Sequence, residues 1–176
     1  MNQAEHDLLV MNAQDGSPDA LGSLVAHHHQ GLLRFAFSLC GDTALAQDAV
    51  QDAWMKVARR LRSLDDPRAF RGWLYHAVRW RVTDLQRRSH RLDVGLDPGY
   101  AAQDPTDSRD SFLDLASAID QLPAVERQVL QLFYVSGLTI PEIAMVLTIP
   151  PGTVKSRLHR ARGLLKQHID GDRHEH

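Results

Sequence analysis

The sequence predicts an all-α fold: two small helical domains joined by a flexible acidic linker, the C-terminal one a helix-turn-helix. Three observations carry this. Apolar residues recur at helical spacing, and no stretch sustains the alternation with β-branched residues that marks strands. The segment RLDVGLDPGYAAQDPTDSRDS, residues 91–111, is rich in Asp, Pro, Gly and Ser and has no apolar period, which reads as a linker. Near the C-terminus, two short helical patterns meet at the tight break Thr148-Ile-Pro-Pro151. The expected domains are therefore residues 1–90 and 112–170, with linker 91–111 between them and a disordered tail at 171–176.

Each element has a local reason. A weak short helix is expected over 5–14, and a longer one from Leu21 to Leu39 with Leu24, Leu32, Phe35 and Leu39 facing the core. The next begins near Asp42 and carries the stripe Leu45, Ala49, Ala53, Val57 and Leu61, four residues apart. Asp65-Asp66-Pro67 interrupts it. A further helix then places Phe70, Trp73, Leu74, Ala77, Val78 and Leu85 on one side. In the second half, a helix is expected over about 112–121, and Pro123 opens another that ends near Ser136-Gly137. Thr139-Ile-Pro-Glu142 has the form of a capping box, with Pro141 tolerated in the first turn. That helix buries Ile143, Ala144 and Leu147, and the last helix starts at Pro151.

The 176 residues suffice for one ordinary domain or two small ones, and the 43% hydrophobic content supports packed cores. A single cysteine, Cys40, rules out an intramolecular disulfide and a cysteine-based zinc site, and fits a reducing compartment. The N-terminus lacks the basic and apolar regions of a secretory signal, and no apolar run spans a bilayer, so a cytoplasmic location is expected. Three histidines in a row, His27-His28-His29, point about 100° apart on a helix and cannot converge on one ion. The reading assigns no metal, cofactor or small-molecule substrate.

Net charge is −2, but its distribution is uneven. Residues 67–91 are net +6 and residues 152–169 net +5 with no acid. Residues 1–66 are net −4 and residues 92–126 net −7. Such asymmetry points to a polyanionic partner; on charge alone a solvated helix face explains it as well. Faces decide more. On the last helix, Val154, Leu158, Ala161 and Leu165 form a core stripe, while Ser156, His159, Arg160 and Gly163 lie opposite. A packed back, a polar front and cationic flanks suit a helix entering the major groove. Arg160 is placed for a base edge. Lys155, Arg157 and Arg162 are placed for phosphates, and Thr153, Ser156 and His159 complete the duplex-facing set. On the helix after Pro67, the side assigned opposite the core holds Tyr75, His76, Arg79, Trp80, Thr83 and Arg87, with Arg68 just before it. Aromatics interleaved with cations are the composition of a single-strand platform. In DAVQDAW, Asp48 and Asp52 stand four apart on one face with Gln51 beside them, a repulsive pair that suits a cationic protein partner. A catalytic carboxylate pair is the enzyme alternative, but no nucleophile or metal-ligand spacing accompanies the acids.

These motifs together resemble the ECF (extracytoplasmic function) group of bacterial RNA polymerase sigma factors, in the sigma-70 family. DAVQDAWMKVARRL resembles the region that grips core RNA polymerase, FRGWLYHAVRWRVTDLQRR the promoter-melting and minus-10 helix, and LPAVERQVLQLFYVSGLTIPEIAMVLTIPPGTVKSRLHRAR the minus-35 domain. The resemblance runs from about residue 18 to 168. It implies that Asp48, Gln51, Asp52 and Lys56 contact the polymerase, and that the loop Leu61 to Arg68 captures a flipped minus-10 base. It further implies that the Tyr75 to Arg87 face holds the opened strand and that the helix from Pro151 enters the minus-35 groove. The linker would thread toward the RNA exit path. An anti-sigma factor, often membrane-anchored in this group, is an implied partner beside core polymerase and promoter DNA. The chain departs from the family pattern at Trp80, where Asn is usual, at Thr148, where a turn Gly is common, and at Pro150, where a capping Ser is common. Two other readings stand beside this one: a stand-alone helix-turn-helix regulator that needs no polymerase, and a nucleic-acid-processing enzyme using Asp48 and Asp52.

Overall fold

The computed structural model describes residues 1–92, 119 and 121–172, with the helix ends 89–92 and 168–172 given by backbone alone. Every element among the described residues is helical. The chain divides into two compact units, Met1–Ala102 and Gln103–His176. Apart from residues 91 and 92, the expected linker lies outside the described residues, as do most of the helix expected over 112–121 and tail residues 173–176.

The first unit consists of α1 (Gln3–Gln14), α2 (Pro18–Cys40), α3 (Thr43–Arg60), two 3-10 turns (Leu61–Ser63 and Pro67–Ala69) and α4 (Phe70–Leu92). Its helix starts are chemically marked. Asn2 and Glu5 form a capping box, Ser17 accepts from Ala20 N–H ahead of Pro18, and Asp42 accepts from Leu45 N–H. Gly41 ends α2 in the left-handed conformation, with φ 68°. The core joins Leu24, Leu32 and Ala36 of α2 to Ala49, Val50 and Val57 of α3 and Phe70, Leu74 and Val78 of α4. The expected stripes of α2 and α3 thus hold, except that Leu39 and Leu45 are half-buried and Ala46, Val50 and Trp54 widen the α3 face.

The second unit contains α5 (Ala124–Leu130), α6 (Ile140–Leu147) and α7 (Pro151–Asp172). After α5 the backbone widens into a π turn over Gln131–Val135, where Ser136 N–H donates to Gln131 C=O at 3.0 Å. The capping box forms as the sequence predicts: Thr139 N–H donates to Glu142 Oε2 at 2.7 Å, and Glu142 N–H donates to Thr139 Oγ1 at 3.4 Å. Thr148 then turns the chain with φ 56° and ψ 47°, and Ile149 N–H closes on Ala144 C=O at 3.1 Å. A β-branched residue rarely adopts this conformation, so the turn carries strain that glycine would not. Val154, Leu158 and Ala161 of α7 pack inward, with Leu122, Leu130, Leu138, Ile143 and Val146 opposite.

Candidate nucleic-acid interface

In the second unit, α7 begins at the turn that Thr148 makes, so its N-terminal half is held against α6 by Val154 and Leu158. The opposite side is open. Lys155, Ser156, His159, Arg160 and Arg162 are exposed, and Thr153 and Arg157 are half-buried. Ser156 Oγ donates to Thr153 C=O at 3.0 Å, so both hydroxyl side chains sit on the first turn. Among the described residues no acid pairs with Lys155 or Arg157. Two other cations are tethered. Arg160 reaches Glu126 at 3.5 Å; the arginine side chain is 73% exposed and the carboxylate 3%. Arg162 Nε donates to Tyr134 Oη at 2.9 Å, and its guanidinium lies near the Phe133 and Tyr134 rings. The sequence reading missed both Glu126 and Tyr134, because nothing local marks either as a neighbour of α7.

In the first unit, the face of α4 is not the one expected at every position. Tyr75 is buried at 3% exposure, against Phe35 with ring centroids 5.2 Å apart, and cannot belong to a single-strand platform. Helical geometry explains this: at 100° per residue Tyr75 stands roughly 20° from the buried Val82 and about 140° from Trp80. Its hydroxyl also accounts for Gly31, where a Cβ would come within 2.9 Å of Tyr75 Oη. Trp73, expected on the core side, is half-buried.

The rest of the face forms a stripe. Trp80 is 51% exposed, Arg87 is exposed, and His76, Arg79 and Thr83 are half-buried. Thr83 Oγ1 is turned to Arg79 C=O at 3.0 Å, whereas His76 Nδ1 is buried with no hydrogen-bond partner among the described residues. Lys56 Nζ of α3 sits 4.3 Å from the Trp80 ring centroid in a cation–π contact, and both residues line a groove between α3 and α4. Arg59, Arg60 and Arg81 line the same groove. Arg68, at the start of the helix, is held by Asp66 through contacts of 3.0 and 3.2 Å, and the guanidinium pulls the Asp66 carboxyl below the ordinary range.

On α3, Asp48 and Gln51 are exposed as expected, but Asp52 is already engaged. Arg81 Nε donates to it at 2.7 Å, and Arg81 Nη1 donates to Asp84 at 2.7 Å. Arg88 completes the chain, 3.1 Å from Asp84. The charge of Asp52 is therefore already countered from within the unit, while no cation pairs with Asp48 among the described residues.

The histidines divide in the same way. His28 does not face solvent: its Nε2 meets Nε2 of His6 at 2.9 Å, the rings edge to face and both beside Phe70. Burial, with the neighbouring His6 next, pushes His28 down to about 3, and burial with the charge of Arg71 lowers His6.

A basic helix set by a tight turn in one unit, and an aromatic–cationic groove in the other, define a nucleic-acid-binding protein of helix-turn-helix type. Its family follows from comparison with known proteins. The model of sigma-70 region 2 matches residues 24–92 and that of sigma-70 region 4 matches residues 112–165. ECF RNA polymerase sigma factor SigE of Mycolicibacterium smegmatis is 33% identical over 155 residues, which cover 83% of this chain and 60% of SigE. SigL of Mycobacterium tuberculosis, another ECF RNA polymerase sigma factor, is 35% identical over 160 residues, covering 86% of this chain and 90% of SigL. Among solved structures, CnrH in complex with the cytosolic domain of CnrY superposes with TM-score 0.66 at 29% identity, covering 95% of this chain and 98% of CnrH. The chain belongs to the ECF sigma factors of the sigma-70 family.

Proposed function

We infer that this chain is a promoter-specificity subunit: it binds core RNA polymerase and directs initiation by reading minus-35 duplex and opened minus-10 DNA. The observation that carries the reading is the pair of matched sigma-70 regions, in order, on two helical units whose exposed faces differ in kind. The α7 front, with Thr153, Lys155, Ser156, Arg157, His159, Arg160 and Arg162, serves the minus-35 groove. Its exposed cations and polar groups supply phosphate and base-edge contacts. The groove around Trp80, with His76, Arg79, Thr83 and Arg87, serves the opened strand, since an exposed indole stacks on any base. Arg68 belongs to the loop that takes a flipped base. Asp48, Gln51, Asp52 and Lys56 offer the polymerase a mixed polar surface along α3; Asp52 would exchange Arg81 for a cation of the polymerase.

The chain performs no chemistry of its own and uses no cofactor. It works in the cytoplasm, and no helix among the described residues is long and apolar enough to cross a membrane. An anti-sigma factor holds it inactive. The support is that CnrH, similar in fold and sequence, has been solved with the cytosolic domain of CnrY.

Run-off transcription with purified core polymerase tests the reading, with and without this protein, on upstream fragments of its own genome. Discrete new transcripts are expected. Their absence, together with duplex binding by the protein, would instead indicate a regulator that acts without polymerase.

A further inference from the structure

Helix α1 lies outside both matched sigma-70 regions, the first of which begins at residue 24. Yet it is tied firmly to the loop that follows α3. Gln14, in the last turn of α1, donates from Nε2 to two carbonyls of that loop, Leu61 C=O at 3.1 Å and Leu64 C=O at 2.7 Å. Two acceptors facing one amide nitrogen fix which end of the side chain is the donor. The loop answers in kind: Arg62 Nε donates to Gln14 C=O at 3.2 Å. Arg62 also closes over Gly16, where a Cβ would stand 3.1 Å from Arg62 Nη2 and where φ is +99°. At the other end of the loop Asp66 accepts from both the backbone N–H and the guanidinium of Arg68.

These bonds span 47 to 50 residues of sequence, so they act on tertiary shape and not on local turn propensity. A 3-10 turn of three residues has little shape of its own. Its carbonyls point where an outside donor directs them, and α1 is a rigid base for that donor. The helix is pinned to the core by Val10, at 0% exposure, and by the His6–His28 contact against Phe70.

We propose that α1 is part of the promoter-reading machinery, with Gln14 as a positioning residue that fixes the Leu61–Leu64 turn in the shape that selects a minus-10 base. This rests on the reading of the loop Leu61 to Arg68 as the base-capturing loop. Gln14 touches no DNA. It acts by removing alternative loop shapes, so its loss lowers discrimination between bases more than it lowers binding as a whole.

The test uses holoenzyme assembled from core polymerase and the full chain, either wild type or carrying Gln14→Glu, Gln14→Ala or Arg68→Ala. Open complexes are selected from a promoter library randomised across the minus-10 element, with the minus-35 element held constant. Glutamate keeps the length of glutamine but turns the donor into an acceptor facing two carbonyls. For Gln14→Glu, the preference for the best base over the next at the captured position is expected to fall about fivefold to tenfold. Gln14→Ala should show a smaller loss in the same direction. Affinity for core polymerase and for minus-35 duplex should stay within about twofold. Unchanged base preference in both Gln14 variants, with altered preference in Arg68→Ala, overturns the proposal and leaves the loop assignment standing. A loss that is equal on every minus-10 sequence and accompanied by lost core binding also overturns it, since Gln14 would then only hold the fold together. Unchanged preference in Arg68→Ala as well as in the Gln14 variants overturns the base-capturing role of the loop itself.

Discussion

The two cation-bearing helices, α4 and α7, are similarly rich in cations and set them in different surroundings. On α4 two of the cations are spent within the unit, while Arg79 and Arg87 stay on the outer stripe. Arg81 bridges Asp52 and Asp84, Arg88 shares Asp84, and Arg68 just upstream is clasped by Asp66. Beside Arg79 and Arg87 the stripe carries an exposed indole, Trp80, with Lys56 against its face. On α7 Lys155 and Arg157 have no acidic neighbour among the described residues, and Arg160 and Arg162 are steadied from behind by Glu126 and Tyr134. A count of cations therefore says little about cations available to a ligand. The outer stripe of α4 sets an exposed indole among its cations, and the outer face of α7 carries cations and small polar groups.

The comparison is sharpest at Tyr75 and Trp80, five residues apart on α4. Tyr75→Ala should cost about 3–5 kcal/mol of stability in chemical denaturation, because it empties a site in the core. Trp80→Ala should shift stability by less than about 1 kcal/mol and instead impair promoter opening, read by permanganate reactivity of the melted strand. Equal stability losses would erase the distinction drawn between the two aromatics.

On α7, Arg160→Ala should weaken minus-35 duplex binding by about 1–3 kcal/mol and relax base preference at one position. Lys155→Ala should weaken binding to all duplexes alike and reduce the slope of log affinity against log salt by roughly 1. An Arg160 variant that behaves like the Lys155 variant would make Arg160 a phosphate contact. By contrast, Arg88→Ala on α4, whose cation is already paired, should change the salt slope of opened-strand binding by less.

The first unit should also respond to pH through its buried histidine pair. His28 has its folded-state value lowered to about 3, below the ordinary 6.5, so the unfolded chain takes up the proton first on acidification. Stability contributed by the neutral pair is complete above about pH 7 and is lost as pH falls through the window from 6.5 toward 3. The loss from His28 should be about 2 kcal/mol between pH 7 and pH 5, measured by urea denaturation, and the pH dependence should be reduced in His28→Leu, which leaves the lowered His6. Asp7 and Arg71, charged neighbours of His6, and His27 beside His28 act on the same pair, and burial outweighs them. The smallest effect should come from the turn before α7. Thr148→Gly relieves a left-handed β-branched residue and should stabilise the second unit by up to about 1 kcal/mol in thermal melting, less what glycine gives back in chain entropy.

Much of this architecture was legible in the sequence, because it rests on interactions between near neighbours in the chain. The Thr139–Glu142 capping box, the Asp42 cap and the inward stripe of α7 are periodic or three-residue patterns. Even the misplacement of Tyr75 was avoidable, since strict helical angles put it beside Val82. The remaining features join residues far apart in sequence. Gln14 meets Leu64 across 50 residues, His6 meets His28 across 22, and Glu126 meets Arg160 across 34. No local period encodes such meetings; they appear only once the helices are packed. That is also why Asp52 was expected to face outward unpaired, when its partner Arg81 lies 29 residues downstream.

The burial of Glu126 and Glu142 has a kinetic consequence. They are the only acids between residues 121 and 167, and both are drawn inward, at 2% and 9% exposure. Over that span no acid among the described residues stands on the exposed surface beside the cations of α7. The α7 face within that span is cationic, so encounters with a duplex would be drawn in from beyond contact distance and their frequency raised. Ionic strength would then act mainly on how often the helix arrives at a promoter, and the steadied Arg160 on how long it remains there.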